Sequence, residues 1–368
     1  MIKLKESIPK DQIGKSIDTS RCSIYFEESR LNDKPYLLPL CILRTKPCFW
    51  IREGGGCAVC GYNLNTNVDH EFCEQDLLDQ VKYITDHLSS QTYPFITVTS
   101  TGSFLDTKEV SDDTRRKILV NLKNAGFKYF NFECRPEFLL NKDKLREIVE
   151  IFPDGASVGI GLESSNDLVR NSCLNKGFKM QTFLNAAKAC AETKVSYDTY
   201  ILYGKPFLTE RDNIKDAIDT IKFSFEHGAT YAILMIANMQ PYTLSHWLWK
   251  RGLYRLPKLW GIFDVFDALP KEYRSRIIVK GMNRAVPSPL FFSSNCEKCT
   301  PAITDAINFW NLTADEYHLE NVREICTCKA EWKAELNRDE ESLPDRIRKM
   351  YDLLSRELFS QPFQDENG

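Results

Sequence analysis

The stretch Leu43-Arg-Thr-Lys-Pro-Cys-Phe-Trp-Ile-Arg-Glu-Gly-Gly-Gly-Cys-Ala-Val-Cys-Gly-Tyr62 spaces three cysteines as Cys48-x8-Cys57-x2-Cys60 on a glycine-rich loop. It leaves the apolar, strand-like run Tyr36-Leu-Leu-Pro-Leu-Cys-Ile-Leu43. Three soft thiolates crowded at the end of an early strand suit an iron–sulfur cluster. A cubane cluster holds four irons, so three protein ligands leave one iron open to substrate or cofactor. CxxC pairs also build zinc sites and redox dithiols. A structural zinc takes four ligands. The nearest further candidates, His70 and Cys73, lie past the loop at the start of the next helix.

The surrounding chain narrows the choice. Its 368 residues can form one β/α domain of about 200–250 residues and a smaller second unit. Hydrophobic residues, at 43%, are ample for a core. Apolar runs of about 18 residues are missing, so no membrane-spanning helix is expected. The first residues, Met1-Ile-Lys-Leu-Lys-Glu-Ser-Ile-Pro-Lys10, are charged and contain no apolar signal core. Thirteen cysteines form an odd set. Without a secretion signal, they favour a reducing, cytoplasmic setting with thiolate–metal chemistry over a disulfide framework. A net charge of −3 exerts no general pull on nucleic acid, so an RNA substrate would need a local patch or a partner.

Strand and helix patterns alternate from residue 36 onward. Strands are expected at Tyr36–Leu43, Phe95–Thr99, Tyr129–Phe132, Ala156–Leu162, Val195–Leu202 and Tyr231–Ala237. Helices are expected at Glu74–Leu88, Asp112–Ala125, Lys142–Phe152, Met180–Thr193 and Glu210–His227. This rhythm predicts an α/β fold, a partial parallel (β/α)6 TIM-like barrel, whose site lies at the carboxyl ends of its strands. The expected organisation is an N-terminal extension at 1–35, a barrel at 36–238, and a C-terminal domain at 239–368 with a cysteine site and a charged tail that frays in Gln364–Gly368.

Polar groups recur at the expected strand ends. Gly102 and Ser103 follow the second strand, where a glycine permits close backbone approach to a ligand. Glu133 ends the third, either facing a ligand or pairing with Arg135 or a nearby lysine. Glu163 ends the fourth, with Asn175-Lys-Gly177 a dozen residues on. Lys176 either meets a ligand carboxylate or is a solvated lysine. Each motif alone fits an ordinary turn; together they mark one mouth.

These motifs resemble the archaeosine-biosynthesis radical S-adenosylmethionine (SAM) protein family, related to the Elongator catalytic branch of that superfamily. The resemblance runs over roughly 36–335 through Arg44-Thr…Gly55-Gly-Cys-x2-Cys-Gly-Tyr62, Gly102-Ser-Phe-Leu-Asp106, Glu133-x-Arg-Pro-Glu-Phe138, Gly161-Leu-Glu163, Asn175-Lys-Gly177, Pro206-Phe-Leu208, Tyr254-Arg-x-Pro-x-Leu-Trp260 and Cys296-x2-Cys299…Cys326-x-Cys328. It implies that Cys48, Cys57 and Cys60 ligate a [4Fe-4S] cluster whose open iron binds SAM. Gly102 and Ser103 would then lie along the methionyl moiety, Glu133 at its ammonium or the ribose, Glu163 at the ribose, and Lys176 at the carboxylate. The residue before the third cysteine, aromatic in many members, is Val59 here, with Tyr62 two residues past the motif. The fifth strand carries Tyr200 where relatives often carry an acid. The implied reaction is radical cleavage, by a 5′-deoxyadenosyl radical, of the C–N bond in a lysine adduct of 7-cyano-7-deazaguanine in tRNA. That lyase step leaves a formamidine base. A transglycosylase-type transferase would supply the adduct, and an electron donor the reducing equivalent. The alternative is a radical SAM enzyme of the same branch acting on another tRNA base or a small metabolite. A metal-stapled assembly module is the non-enzymatic alternative; it leaves the strand-end motifs unexplained.

Cys296-x2-Cys299 and Cys326-x-Cys328, separated by 26 residues, form two close thiolate pairs. Structural zinc leads, an auxiliary cluster is the second reading and a metal-free site the third, with His318 a substitute ligand. Trp247, Trp249, Tyr254 and Trp260 interleave with Lys250, Arg251, Arg255 and Lys258. They read first as core and solvated charge, and alternatively as a contact for tRNA or the transferase.

Overall fold

The apolar run before the three-cysteine loop forms an inner strand of an eight-stranded sheet. The computed structural model describes residues 18–31, 34–62, 70–285, 287–336 and 341–359. The expectations for Met1–Lys10 and for the Gln364–Gly368 tail lie outside the described residues. In sheet order the strands are β1 (Ser23–Leu31), β2 (Lys34–Ile42), β3 (Phe95–Thr99), β4 (Tyr129–Cys134), β5 (Ala156–Gly161), β6 (Ser196–Tyr203), β7 (Ala232–Ile236) and β9 (Ile277–Lys280). β1 is antiparallel to β2, and every other neighbouring pair is parallel. A separate ribbon joins β8 (Asn238–Met239) to β10 (Phe291–Phe292).

The expected six parallel strands are present, so the fold is an α/β partial barrel with its helices outside. The helices around the barrel are α1 (Phe49–Gly54), α2 (Glu74–His87), α3 (Asp112–Asn124), α4 (Lys142–Ile151), α5 (Met180–Thr193) and α6 (Glu210–Glu226). Leu77, Val81 and Ile84 recur at helical spacing on α2 and are buried. Thr209 and Asp212 cap α6 reciprocally, each side chain accepting from the other's backbone N–H at 3.1 Å. On the outer face of β4, Phe130 and Phe132 pack on Phe104 and Phe152 with ring centroids 5.1–5.8 Å apart. Each such ring contributes about 1.5–3 kcal/mol by leaving water.

Two further strands widen the sheet beyond the expected 36–238 span. β1 lies in the stretch expected as an extension, and β9 within the expected C-terminal unit. Between β7 and β9 the chain forms α7 (Leu244–Lys250), α8 (Trp260–Asp267) and α9 (Lys271–Arg274). The seam between edges β1 and β9 is bridged by side chains. Arg30 donates to the carbonyls of Ser275 at 2.7 Å and Ile277 at 3.0 Å, and to those of Trp310 and Asn311 at 2.7 and 3.0 Å. Lys280 pairs with Glu27 across the same seam. Such bridging covers the strand edges.

The C-terminal segment adds α10 (Thr300–Thr313), α11 (Tyr317–Val322), α12 (Cys328–Leu336) and α13 (Leu343–Phe359). α13 lies against the outside of the cysteine loop: Ile347 and Leu354 share an apolar cluster with Ala58, Leu244 and Leu248. Tyr351 donates to the Ser172 carbonyl at 2.8 Å, and Arg346 pairs with Asp212. Among the described residues, no helix is long and apolar enough to cross a membrane.

Candidate active site at the carboxyl ends of the strands

The loop after β2 is anchored before it reaches Cys48. Leu43 donates its N–H to the Thr99 carbonyl at 2.8 Å, and the Gln80 amide clasps both backbone groups of Arg44 at 2.7 and 3.1 Å. Cys48 then sits at the start of α1, a helical turn inside what the sequence suggests is plain loop. Gly55 and Gly56 follow with φ of 74° and 77°, a left-handed pair that side chains resist. That reversal returns the chain to Cys57 and Cys60.

A second segment locks this reversal. Asn175 donates its side-chain amide to the carbonyls of Gly54 at 2.9 Å and Gly56 at 2.8 Å. Its own carbonyl accepts the Trp50 indole N–H, and Ala58 donates to the Leu174 carbonyl at 2.9 Å. The Trp50 ring lies between Gly54 and Gly177, where an added Cβ would come within 2.5 and 2.0 Å of it. Arg135 stacks over Trp50 at 5.1 Å and donates to the Lys176 carbonyl at 2.6 Å. Its ion pair is with Glu137 at 2.6 Å, not with Glu133. The Asn175-Lys-Gly177 motif is therefore the scaffold of the cysteine loop as well as the carrier of Lys176.

Glu109, a residue the strand-end logic does not pick out, supports the loop from below. It is 4% exposed, accepts from Ser100 Oγ at 2.7 Å and the Ser103 N–H at 3.0 Å, and takes the Phe49 N–H at 3.3 Å. Burial pushes its carboxyl up to about 7. A side chain at Gly102 would meet Glu109 at 2.3 Å and the Cys48 backbone at 2.7 Å, so only glycine fits there. Ser103 is fully buried, and its hydroxyl accepts from the Arg135 N–H at 3.1 Å. Its side chain is therefore spent on the loop after β4, and the expected approach of Gly102 and Ser103 to a ligand would be through their backbone.

Cys48, Cys57 and Cys60 are part-exposed and not disulfide-bonded. Burial, then the Glu109 carboxylate and the Cys57 and Cys60 thiols, push the Cys48 thiol up to about 12. A coordinated metal reverses that preference by deprotonating the thiol. Three soft, part-exposed donors on a clamped loop fit a cluster that keeps one open position.

Glu163 and Lys176 form an ion pair of 3.1 Å with side chains 19% and 12% exposed. Lys176 is thus not a solvated surface lysine. Glu163 is held at φ 65°, a left-handed conformation costing about 1–2 kcal/mol, and its N–H bonds the Tyr200 carbonyl at 2.8 Å. Glu133 accepts from Thr99 Oγ1 at 3.2 Å and bonds the Tyr200 hydroxyl; burial raises its carboxyl. Burial, then Glu133 and Cys60, raise the Tyr62 phenol. Asp198 is an acid two residues before Tyr200 on the same face of the same strand, deeper in the barrel. Its only mark in the sequence is that alternation.

The four late cysteines converge. Sγ atoms of Cys296 and Cys299 are 3.5 Å apart, Cys296 and Cys326 3.5 Å, and Cys299 and Cys328 3.6 Å. All four lie within 4.8 Å of one another. A tetrahedral zinc with Zn–S near 2.3 Å sets thiolates about 3.8 Å apart. A cubane, which gives each thiolate its own iron, needs a wider frame. The Trp260 indole N–H points at Cys328 Sγ from 3.4 Å. His318 stacks on Phe309 instead, with ring centroids 3.9 Å apart.

The aromatic segment is largely committed internally. Trp260 is 1% exposed, and the Tyr254 hydroxyl bonds the Gly204 carbonyl at 2.6 Å. Arg251 pairs with Glu357 at 2.8 Å, Arg255 with Glu335 at 3.2 Å, and Lys258 donates to the Asn295 carbonyl at 3.2 Å. Trp249 remains 40% exposed.

The chain thus joins a parallel partial barrel to a three-thiolate loop at the carboxyl end of its first parallel strand. In sequence it is similar to archaeosine synthase beta subunits. It is 29% identical to the archaeosine synthase subunit beta of Thermococcus kodakarensis over 84% of this chain and 95% of that one. The subunit of the same name from Methanosarcina acetivorans is 27% identical over 79% and 83%. No family model matches the chain. Among solved structures, methylornithine synthase aligns with a TM-score of 0.48 at 12% identity, covering 77% of this chain and 85% of that one.

Proposed function

We propose that the chain is a radical SAM tRNA-modifying enzyme of archaeosine formation that cleaves the C–N bond of a lysine adduct of 7-cyano-7-deazaguanine. The observation that carries this reading is the clamped three-thiolate loop at the barrel mouth, in a chain homologous to proteins named archaeosine synthase subunit beta. Cys48, Cys57 and Cys60 would hold a [4Fe-4S] cluster, with SAM at its open iron. When bound, that pair supplies a 5′-deoxyadenosyl radical.

The chain's own residues hold and orient. Gly102 lets the second strand's loop close onto Cys48, and Glu109 fixes the amide that follows it. The Glu163–Lys176 pair offers a carboxylate to ribose hydroxyls and an ammonium to the methionyl carboxylate. Glu133 offers an acceptor to the methionyl ammonium or the ribose, and Tyr62, whose phenol responds to both Glu133 and Cys60, is assigned to the cofactor's surroundings. The late quartet is a structural zinc site, which its sulfur spacing favours over an auxiliary cluster. The name "subunit beta" implies a partner subunit, and the reading assigns delivery of adducted tRNA to a transglycosylase-type lysine transferase.

The test is anaerobic. Protein reconstituted with iron and sulfide is mixed with SAM, a strong reductant and lysine-adducted tRNA. Expected are 5′-deoxyadenosine and the formamidine base, both lost in Cys57→Ala. Cleavage of SAM that ignores the tRNA would discard the substrate, and no cleavage from a loaded cluster would discard the enzyme.

A further inference from the structure

Strand alternation divides the sheet into two unlike faces. The outer face is aromatic and aliphatic, while the inner face carries Glu27, Glu133, Asp198, Tyr200 and Lys280. These groups lie within reach of one another. Lys280 pairs with Glu27, and its charge also acts on Asp198 and Glu133. Three carboxylates therefore share the Lys280 ammonium, and the Arg276 guanidinium acts on Asp198 as well. Asp198 accepts the Tyr231 N–H at 3.1 Å, which leaves lone pairs on its carboxylate. Lys280 has three donors and spends one on Glu27. One row deeper than Thr99, on the same face, Thr97 is 2% exposed, and its hydroxyl has no partner among the described residues. A buried hydroxyl in that state costs free energy that a bound polar group would recover.

We infer that the inner face of the barrel reads the zwitterionic head of an amino acid, with Asp198 taking its ammonium, Lys280 its carboxylate, and Thr97 a further hydrogen bond. Its unlike charges, on β6 and β9 with β7 between them, match an α-amino acid and suit neither a bare diamine nor a simple carboxylic acid. Identification of that amino acid as lysine rests on the lyase reading above. The free α-ammonium and α-carboxylate of the adducted lysine would then be gripped inside the barrel, which holds the other end of the side chain at the mouth. Charged pairs left unmatched in a partly buried site are costly, so the grip discriminates by deletion of either charge.

The test is calorimetric binding to the reconstituted holoenzyme with SAM and no reductant. Its probes are N6-acetimidoyl-L-lysine, the same amidine on cadaverine, which lacks the carboxylate, and on 6-aminohexanoate, which lacks the α-ammonium. The lysine probe should bind at least about tenfold tighter than either. Lys280→Met should erase the gap to the cadaverine probe, and Asp198→Asn the gap to the 6-aminohexanoate probe. Glu27→Gln breaks the seam pair but keeps the Lys280 ammonium, so it should preserve the carboxylate gap; a merely structural Lys280 would lose it. Equal binding of the three probes, no binding, or gaps that survive both variants would overturn the inference. Gaps without 5′-deoxyadenosine from adducted tRNA would leave the head-group site standing and sink the lyase reading. Turnover without gaps would do the reverse.

Discussion

Two thiolate groups, built from the same residue type in one chain, are held in opposite ways. The late quartet is closed: its sulfurs stand 3.5–3.6 Å apart along three edges, and Cys299 is fully buried. The early triplet is open: its cysteines are part-exposed, and its loop is ordered by Asn175, Glu109 and Gly102. A site that must staple spends every coordination position on protein, whereas a site that must react leaves one free. The neighbours show the same division of labour. The late group has a fully buried indole against it, while the early group has carboxylates, an ammonium and a phenol nearby.

The largest effect expected from this contrast is a crossed pair of losses. Cys57→Ala should abolish the visible absorption of the reconstituted cluster and all 5′-deoxyadenosine, with the melting temperature of the metal-free protein unchanged. Cys328→Ser should lower melting by about 10 °C or more and release zinc. Elemental analysis with thermal melting checks both, and the contrast fails if either variant produces the other's phenotype. Gly102→Ala comes next. Its Cβ would press on the Cys48 backbone from 2.7 Å, so cluster loading should fall several-fold, measured as iron per chain, while zinc stays. Asn175→Ala removes two bonds to the loop carbonyls, worth roughly 1–3 kcal/mol of local order. Turnover should drop about 10–100-fold with zinc retained, as for other supporting partners of metal ligands.

The smallest effect is a pH slope. Burial raises Asp198 from 3.8 to about 6. The folded chain then holds this proton where the unfolded chain has released it, so the contribution is fully present below pH 4 and is lost as pH rises through 6. Asp198→Asn should flatten denaturant-measured stability by at most roughly 3 kcal/mol over that window. An unchanged slope would mean that the carboxylate is better solvated than its place inside the barrel implies.

The barrel was legible in the sequence because its parallel strands are short apolar runs punctuated by turns. Phe95–Thr99 matches its expected bounds, and Ala156–Gly161 and Ala232–Ile236 match to within a residue or so. β9 escaped because Ile277-Ile-Val279 is brief and sits in a stretch dominated by proline and aromatic residues. Helix α1 escaped because Gly54-Gly-Gly56 reads as loop, and the helix depends on contacts with Asn175, more than a hundred residues away. For the same reason Glu109 and Asn175 could not be assigned their supporting parts: their partners are distant backbone groups, which leave no periodic trace. Lys176 looked solvated because a lone lysine gives no sign of a carboxylate that the fold delivers to it.

Mössbauer spectroscopy of protein reconstituted with 57Fe, combined with zinc analysis and SAM titration, addresses the contrast between the two thiolate groups most directly. About four irons and one zinc per chain are expected, with SAM shifting the signal of a single iron and Cys57→Ala removing the iron signal alone. Iron at the late quartet, or a cluster that survives Cys57→Ala and ignores SAM, would contradict the division into an open reactive triplet and a closed structural quartet.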